Sequence, residues 1–324
     1  MIASESDRID EGFRLQKAGL LEEALQKYDV AAQSGDEIVR ARALCRMADL
    51  YREWSRWEQA TDCARRGATV ARRAGEYSLY AEAIHAEANV YHQRGEFDAA
   101  IPLYERVLEL PVDDRVRGLA LQNMGAIAAQ REDLDAAERL FLDSYWHFRR
   151  AGYDRGVAFV LNNQAAAALD RGRFSSAATI ARQAMEAARQ AADFELLGIA
   201  TLNYAEALAA QDELAQAESL AAGALGFFVL AKSEVHRAQC LRVLGDIYAR
   251  RGEISRARAC YLQGLEVAVP VNSRFDIDKL RSALAALGPS DAPTERVVAD
   301  DRRPEDRPPD DRPDAEEATP PPPG

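Results

Sequence analysis

LNNQAAAALDRGRFSSAATIARQA, residues 161–184, is the stretch that decides the fold. Alanine and other strong helix formers dominate both of its ends. Between them lies RGRF, and its glycine is the residue type that most often ends one helix before the next begins. The stretch therefore predicts a helical hairpin, two helices joined by a short turn. Two consecutive asparagines, Asn162 and Asn163, interrupt the helix formers and need a separate explanation, because asparagine is a mediocre helix former.

The same spacing of small residues recurs along the chain. Small residues stand 36, 40, 37, 40, 40 and 40 residues apart, at Gly12, Ala48, Ala88, Gly125, Ala165, Ala205 and Gly245. An alanine follows each of them twelve residues later, at Ala24, Ala60, Ala100, Ala137, Ala177, Ala217 and Ala257. Small side chains at matched places mark points where two helices approach closely. The period therefore predicts seven hairpins stacked in order, which we number units 1–7.

A turn residue separates the two helices of each unit. It is glycine in four units, as Gly19, Gly95, Gly172 and Gly252, and Ser55 takes its place in unit 2. A small residue, a large one three later, a turn glycine, an aromatic or aliphatic residue and then alanine form a pattern that resembles the tetratricopeptide repeat. The resemblance covers about residues 4–270, and a capping helix, residues 276–288, is expected to follow. Most units are near 40 residues rather than the usual 34, which resembles the repeats of kinesin light chains and of bacterial peptide-sensing regulators.

The resemblance implies an all-α fold. We expect a right-handed α-solenoid of about seven helix-turn-helix repeats with a capping helix, spanning residues 1–288. Each unit of such a solenoid buries its apolar face only against its neighbours, and the first helices line the concave side. The remaining residues, 289–324, hold ten of the thirteen prolines and a net charge of −6. With few large apolar residues, this acidic tail rich in Pro, Asp and Arg is predicted to be disordered.

The composition excludes several classes of protein. With 48% hydrophobic and 29% charged residues, the chain is typical of a soluble globular protein. Its longest nearly apolar run, residues 221–231, has about half the length that crosses a bilayer, and no basic segment followed by an apolar run opens the sequence. We therefore expect a cytoplasmic location and no membrane partner.

The asparagines of the opening stretch belong to a row. The residue two places before the small residue of each first helix should point into the concave groove, and in units 4–6 it is Asn123, Asn163 and Asn203. An asparagine side chain offers one acceptor and two donors, which match the C=O and N–H groups of an extended peptide. The resemblance strengthens this expectation, since asparagines at this place hold ligand backbone in long-unit relatives. We expect these three and the adjacent Asn162 to bind a peptide; the alternative is that they bond to a neighbouring helix and stabilise stacking.

An apolar strip accompanies the asparagine row. One helical turn before the three asparagines lie Leu119, Phe159 and Ile199, on the same face of their helices. A polar row beside an apolar strip is the combination expected of a groove that fixes a peptide backbone and buries alternate side chains. Packing between neighbouring first helices is the alternative role for these three residues.

Unit 2 is basic in an acidic protein. Residues 40–75 hold nine arginines against four acids, and Arg42, Arg46 and Arg52 share one helix face. An anionic part of a ligand is expected to dock there, and the acidic tail is expected to contact the same unit within the chain. The alternative is a solvated charged face.

Motifs that carry enzyme chemistry are missing from the sequence. It has no phosphate-cradling glycine loop, no GxSxG and no HExxH. His85, Asn89 and His92 share a helix face but lack a carboxylate partner for a metal site. Without its tail the chain still carries a net charge of −6, whereas polyanion binding usually needs a continuous positive footprint. We expect no catalytic activity, no metal, no cofactor and no nucleic-acid partner.

These features together favour a protein-binding or peptide-binding adaptor or regulatory scaffold, which holds an extended peptide segment in its groove through the asparagine row. Two alternatives stay open. In one, the solenoid is a structural subunit of a larger assembly, with contacts near Trp54 and Trp146. In the other, the scaffold is autoregulated by its acidic tail, which competes with partners. Repeat folds serve many unrelated functions, so the partner has to be argued from the groove itself.

Overall fold

The computed structural model describes residues 5–288, with side chains from residue 7 onward. These residues form fifteen α-helices and contain no β-strand. The helices are α1 Glu5–Lys17, α2 Leu21–Ala31, α3 Glu37–Glu53, α4 Trp57–Arg73, α5 Tyr77–Gln93, α6 Phe97–Glu109, α7 Asp114–Gln130, α8 Leu134–Arg150, α9 Asp154–Asp170, α10 Phe174–Gln190, α11 Phe194–Ala210, α12 Leu214–Ala231, α13 Glu234–Arg250, α14 Ile254–Ala268 and α15 Arg274–Ala286. The all-α prediction is confirmed. The acidic tail, 289–324, and its predicted contact with unit 2 lie outside the described residues.

Consecutive helices pair into seven hairpins, from α1 with α2 in unit 1 to α13 with α14 in unit 7. The backbone of each first helix also approaches that of the first helix of the next unit, whereas no two second helices of the described part approach each other as closely. Elements on the inside of a curved stack lie closer together than those on the outside, so the first helices line the concave side. This is the α-solenoid predicted from the period.

The recurring small residues lie where the two helices of a unit meet, and all of them are buried. In units 4–6 their size follows the size of the residue at the facing place of the second helix. In unit 4 a Cβ atom at Gly125 would lie 2.7 Å from the ring of Phe141, so alanine does not fit there unless the ring moves. Units 5 and 6 have Ala181 and Ala221 at the place of Phe141, and there the recurring small residue is alanine. The positions of the small residues therefore indicate where the two helices of a unit are in contact.

The turn inside each hairpin needs a left-handed backbone at one residue. In units 2, 4 and 6 this residue is Ser55, Glu132 and Asp212 instead of glycine, with φ angles of 55°, 63° and 69°. A residue with a Cβ atom adopts this conformation at a cost of about 1–2 kcal/mol. Packing between the two helices of the unit offsets that cost, so the hairpin forms without its glycine.

Replacing Glu132 by glycine is expected to raise the free energy of unfolding by about 0.5–1 kcal/mol, because glycine adopts the left-handed conformation without a steric penalty. Urea denaturation of the full chain measures the change. Glu132→Ala is the matched control, since it removes the same charge but keeps a Cβ atom. An equal gain in both variants would assign the effect to charge and contradict the backbone explanation.

Polar contacts join each unit to the next in a fixed register. The residue that follows the first helix in units 4–7 reaches back to the second helix of the preceding unit. The pairs are Arg131–Asp98 at 2.6 Å, Arg171–Asp135 at 2.5 Å, Gln211–Ser175 at 3.1 Å and Arg251–Glu218. Exposed ion pairs contribute only about 0–1 kcal/mol each. Their recurrence therefore matters more for the register of the stack than for its total stability.

The carboxyl end of the solenoid is covered by α15, as predicted for a capping helix. Its Leu280 is fully buried against unit 7, where a Cβ atom at Gly264 would lie 2.9 Å from the leucine side chain. The apolar face of the last hairpin is therefore not left open.

Among the described helices, α12 is long and apolar enough to cross a membrane by length and composition. Four of its residues, Ala217, Ala221, Ala224 and Phe228, are buried, and the helix packs between α11 and α13. Within the solenoid, α12 therefore has the position of the second helix of unit 6.

Candidate functional site

The first helices present rows of side chains along the concave face. The structure places Asn123, Asn163 and Asn203 at equivalent positions of α7, α9 and α11, and each of them is half-buried. Leu119, Phe159 and Ile199 lie one helical turn before them on the same three helices. The two rows run side by side across units 4–6, but their members differ in what they contact.

Asn123 is held inside a network of side chains. Its Nδ2 lies 2.8 Å from Asn89 Oδ1 and 3.2 Å from His85 Nε2. Asn89 Oδ1 also accepts a hydrogen bond of 2.7 Å from the Tyr104 hydroxyl. Gln122 Nε2 donates to Asn123 Oδ1 at 3.4 Å. The amide of Asn123 is therefore satisfied largely by its own fold, as the stacking alternative expects.

Asn162 and Asn203 join unit 5 to unit 6. Asn162 is buried, and its Nδ2 donates to the carbonyl oxygen of Leu196 at 3.2 Å, while its Oδ1 has no partner among the described residues. Asn203 Nδ2 donates to the carbonyl oxygen of Asn162 at 3.3 Å. One of the two donors of Asn203 is thus in use, and Asn162 lies within the contact between two helices rather than on the groove surface.

Asn163 and Phe159 differ from their neighbours. No hydrogen bond within the described residues involves the Asn163 side chain. Phe159 is 41% exposed, whereas Leu119 and Ile199 are partly buried against the core. The centre of the concave face therefore presents an exposed aromatic ring one turn away from an amide that the fold does not use.

A polar cavity of about 360 Å³ lies between the first helices of units 2–5. Its charged lining residues are Arg46, Asp49, Arg52, Glu82, Arg115 and Arg155. The structure thus brings together Arg46 and Arg52, which were predicted to bind an anion. Leu119 from the predicted apolar strip lines the same cavity. Arg42 is exposed on α3 and does not line the cavity.

Sequence reasoning missed Arg115 and Arg155 as groove residues. Arg115 lies one helical turn before Leu119, and Arg155 lies one turn before Phe159. Extending the predicted apolar strip by one turn toward the start of each helix would have found both arginines. The net charge of unit 2 indicates arginines on one helix only, whereas the charged residues that line the cavity come from several units.

The surroundings of the cavity shift the pKa of its histidine and of its two carboxyl groups. Burial lowers the pKa of His85 to about 4, and the positive charge of Arg52 acts in the same direction. Loss of surrounding solvent raises the pKa of Asp49 and of Glu82, while nearby arginines oppose both shifts. At neutral pH the cavity therefore contains an uncharged imidazole beside four guanidinium and two carboxyl groups.

Comparison with known proteins agrees with this architecture. The tetratricopeptide repeat family model matches residues 39–111, which include most of units 2 and 3. No curated protein matches the chain.

Solved structures extend the likeness to most of the chain. A Rap protein complexed with Competence and Sporulation Factor has a TM-score of 0.64 at 14% identity, over 87% of this chain and 85% of that one. The apo form of RapI has a TM-score of 0.64 at 13% identity, over 83% of this chain and 99% of that one. BtubC from P. vanneervenii has a TM-score of 0.56 at 18% identity, over 67% of this chain and 92% of that one. Identities this low show a shared fold and leave function to be argued from the site.

Proposed function

We propose that this chain, a tetratricopeptide repeat protein, is an adaptor or regulatory scaffold that binds an extended peptide segment of another protein along the concave face of units 4–6. The observation that carries the proposal is the pair formed by Phe159 and Asn163. An exposed aromatic ring supplies a large apolar contact, and an unused amide supplies donors and an acceptor for peptide backbone. The likeness in fold to a Rap protein complexed with Competence and Sporulation Factor supports a ligand-binding role.

Within this proposal, the asparagines of the row differ in how much of their amide group is free to bind peptide backbone. Asn163 is the principal backbone contact, because the fold leaves its amide unpaired. Asn203 is the second, since its bond to the carbonyl oxygen of Asn162 uses one donor only. Asn123 contributes mainly through the network that holds it. Leu119 and Ile199 flank Phe159 and extend the apolar surface for alternate side chains of the peptide.

The proposed role is non-catalytic and cytoplasmic, with a protein or peptide as partner and neither nucleic acid nor membrane. A stacked solenoid suits this role because its units present an extended surface to a flexible ligand. Such a segment becomes ordered when it binds, so the groove has to supply both backbone hydrogen bonds and apolar contact.

Selection from a displayed library of random dodecapeptides against the full chain is expected to enrich sequences that bind the groove. The double variant Phe159→Ala and Asn163→Ala should lower their affinity about tenfold or more, because it removes an aromatic anchor and a backbone hydrogen bond. Fluorescence anisotropy of a labelled, selected peptide measures the affinity.

Phe275→Ala is the matched control, because it removes an exposed phenylalanine from α15, outside units 4–6. It should leave the affinity unchanged. Thermal melts establish that both variants are folded. Equal affinity for the groove variant and the unmodified chain, or a selection that enriches no peptide, would refute the proposal.

A structural subunit role remains a second candidate, favoured by the surface of α8. Trp146 and Leu142 lie one turn apart on this helix and are both exposed. Trp54 fits this role less well, since it is partly buried and its ring packs edge-on against Tyr51. A stable complex that is lost on Trp146→Ala but unaffected by the Phe159 and Asn163 double variant would favour this candidate.

A further inference from the structure

We infer that the outer face of unit 4 forms a two-fold contact with a second copy of this chain, in which Trp146 of each copy enters a cavity beside Leu142 of the other. The inference is independent of peptide binding on the concave face. It goes beyond the structural subunit candidate because it names what covers α8. Three features carry it: an exposed ring, a cavity large enough for that ring, and the chemistry of the cavity walls.

A cavity of about 210 Å³ lies between the second helices of units 4 and 5. It has room there because second helices of successive units lie further apart than first helices. Phe141 and Leu142 of α8 and Ile180 of α10 form apolar walls, and Ala167 and Ala168 of α9 also line it. Leu142 is exposed, so the cavity can be reached from the outer surface. A dry cavity of about 150 Å³ holds a benzene ring, so this one is large enough for a bigger aromatic group.

The polar groups of this cavity favour an uncharged aromatic ring over a charged ligand. Glu138 lies 3.1 Å from Arg173 and 3.6 Å from Arg171, and Arg171 also pairs with Asp135 at 2.5 Å. The charges at the opening are therefore already paired with one another. Arg171 Nε is buried without a hydrogen-bond partner among the described residues. A guanidinium stacks well on an aromatic face, and tryptophan gives the strongest contact of this kind.

Trp146 supplies such a ring on the same surface. It lies one helical turn after Leu142 on α8 and is 56% exposed. Its ring is on the side of α8 that faces unit 3, where it lines a depression with Arg117 and Leu121 of α7. The cavity lies on the other side of α8, toward unit 5. A chain therefore does not fill the cavity with its own tryptophan.

A surface that has both a projecting ring and a cavity for a ring is complementary to itself. In a two-fold contact both copies use the same surface, so each ring enters the cavity of the other copy at the same time. The ring and the cavity lie on opposite sides of α8, and Leu142 lies between them. The two α8 helices are therefore expected to cross near Leu142, where each leucine is covered by the other copy.

The charges of α8 allow this contact although the chain has a net charge of −12. Residues 134–150 hold three acids and three arginines, so repulsion between copies is not concentrated on this helix. No ion pair within the described residues involves Arg139 or Asp143. Both lie within one turn of Leu142, so at the crossing Arg139 of one copy and Asp143 of the other can pair.

Sedimentation velocity of the full chain, as a function of its concentration, tests the inference. One crossing of two helices with two inserted rings is smaller than the standard interface of about 1,600 Å², so we expect a reversible dimer with a roughly micromolar dissociation constant. Trp146→Ala should raise this constant about a hundredfold or more, because both copies lose the ring. Tyr77→Ala is the matched control, since it removes a ring of similar exposure, 55%, from α5. It should leave the constant unchanged.

A second variant tests whether the ring enters the cavity. Ser176 is exposed and lines the cavity, so Ser176→Phe should fill the cavity without disturbing the core. This variant keeps Trp146 but should dimerise as poorly as Trp146→Ala. A mixture of the two variants restores one ring in one cavity. The mixed dimer should therefore form with a dissociation constant about tenfold or more below that of either variant alone. Thermal melts establish that both variants are folded.

Three results would overturn the inference. The first is an unmodified chain that stays monomeric at every concentration, and the second is a dimer that Trp146→Ala leaves unchanged. The third is a mixture of the two variants that associates no better than each variant alone, because the ring would then lie outside the cavity. Trp146→Ala should bind the selected peptides as the unmodified chain does, since Trp146 lies on a second helix. Failure of the dimer would therefore leave the proposed function standing, and failure of the peptide selection would leave the dimer standing.

Discussion

Replacing Phe148 by alanine is expected to lower the free energy of unfolding by about 3–5 kcal/mol, the range for loss of a fully buried phenylalanine. Phe148 lies on α8 with no exposed surface. Cβ atoms at Gly118 on α7 and Gly156 on α9 would lie 2.6 Å and 2.8 Å from its ring. The ring therefore fills the space where unit 4 meets unit 5. Its ring centre is also 5.5 Å from that of Tyr153, in an edge-to-face arrangement.

The same substitution should also change how the protein unfolds. The stability of a repeat array is approximately the sum of the stabilities of its units and of the contacts between neighbouring units. Phe148→Ala weakens one contact near the middle of the array, so units 1–4 and units 5–7 should unfold in separate transitions. The three tryptophans, Trp54, Trp57 and Trp146, all lie in units 2 and 4. Tryptophan fluorescence therefore reports the amino-terminal half, while circular dichroism reports every helix.

Urea denaturation followed by both signals measures the two effects. Phe159→Ala is the control, since it makes the same chemical change in unit 5 at a residue that is 41% exposed. The control should lose far less stability and keep the relation between the two signals seen in the unmodified chain. A Phe148→Ala variant that loses less than about 1 kcal/mol, or whose two signals stay coincident, would contradict the role given to this contact.

The stacking of the units is predictable from the sequence because it depends on the size of the side chains where two helices meet. A helix pair that approaches closely tolerates only small residues at the contact, and the same requirement returns in every unit. Gly125 and Ala165 meet this requirement for a small residue, and so do the alanines twelve residues after them. The residues of the concave face follow from the same register, since helical periodicity fixes which positions share a face with the small residue.

The partners of polar side chains are less predictable. Asn123 and Asn163 occupy equivalent positions in the sequence, yet Asn123 bonds to His85 and Asn89 of the preceding unit. The unit that precedes Asn163 is unit 4, and no residue of unit 4 forms a hydrogen bond with the Asn163 side chain. This difference depends on side chains about 40 residues away, which the pattern of small residues does not record. The turn at Glu132 was missed for a similar reason, because tertiary packing there overrides the local preference for glycine.

Acidification from pH 7.5 to pH 5 is expected to cost the protein about 2 kcal/mol of folding free energy through His85 alone. Burial lowers the pKa of this imidazole to about 4 in the folded protein, against an ordinary value of about 6.5 in the unfolded chain. Between these two values the unfolded state binds more protons. The contribution to stability is therefore fully present above about pH 6.5 and is lost progressively as the pH falls toward 4.

Two contacts of the ring act in the same direction as its burial. Asn89 Nδ2 lies 3.3 Å from His85 Nδ1, and Asn123 Nδ2 lies 3.2 Å from His85 Nε2. A neutral imidazole accepts a hydrogen bond at one of its nitrogens, whereas a protonated one has donors at both. Protonation would therefore set N–H groups against amide donors and add the charge of Arg52 as a further repulsion. The asparagine network stabilises the neutral ring, which links the folding of units 3 and 4 to pH.

His85→Gln isolates this linkage from the other titrations. The raised pKa values of Asp49 and Glu82 act in the opposite direction, because a folded state that binds more protons gains stability as the pH falls. Those contributions are common to both proteins and cancel in the comparison. The loss of stability between pH 7.5 and pH 5, measured by urea denaturation, should be about 2 kcal/mol smaller in the variant than in the unmodified chain.

NMR titration of the His85 ring gives the independent check. A titration midpoint near the ordinary value of histidine, or equal losses of stability in the two proteins, would show that the ring is not held neutral by its surroundings. A midpoint near 4 would establish that the fold holds the imidazole neutral, chiefly through its burial, with the positive charge of Arg52 acting in the same direction.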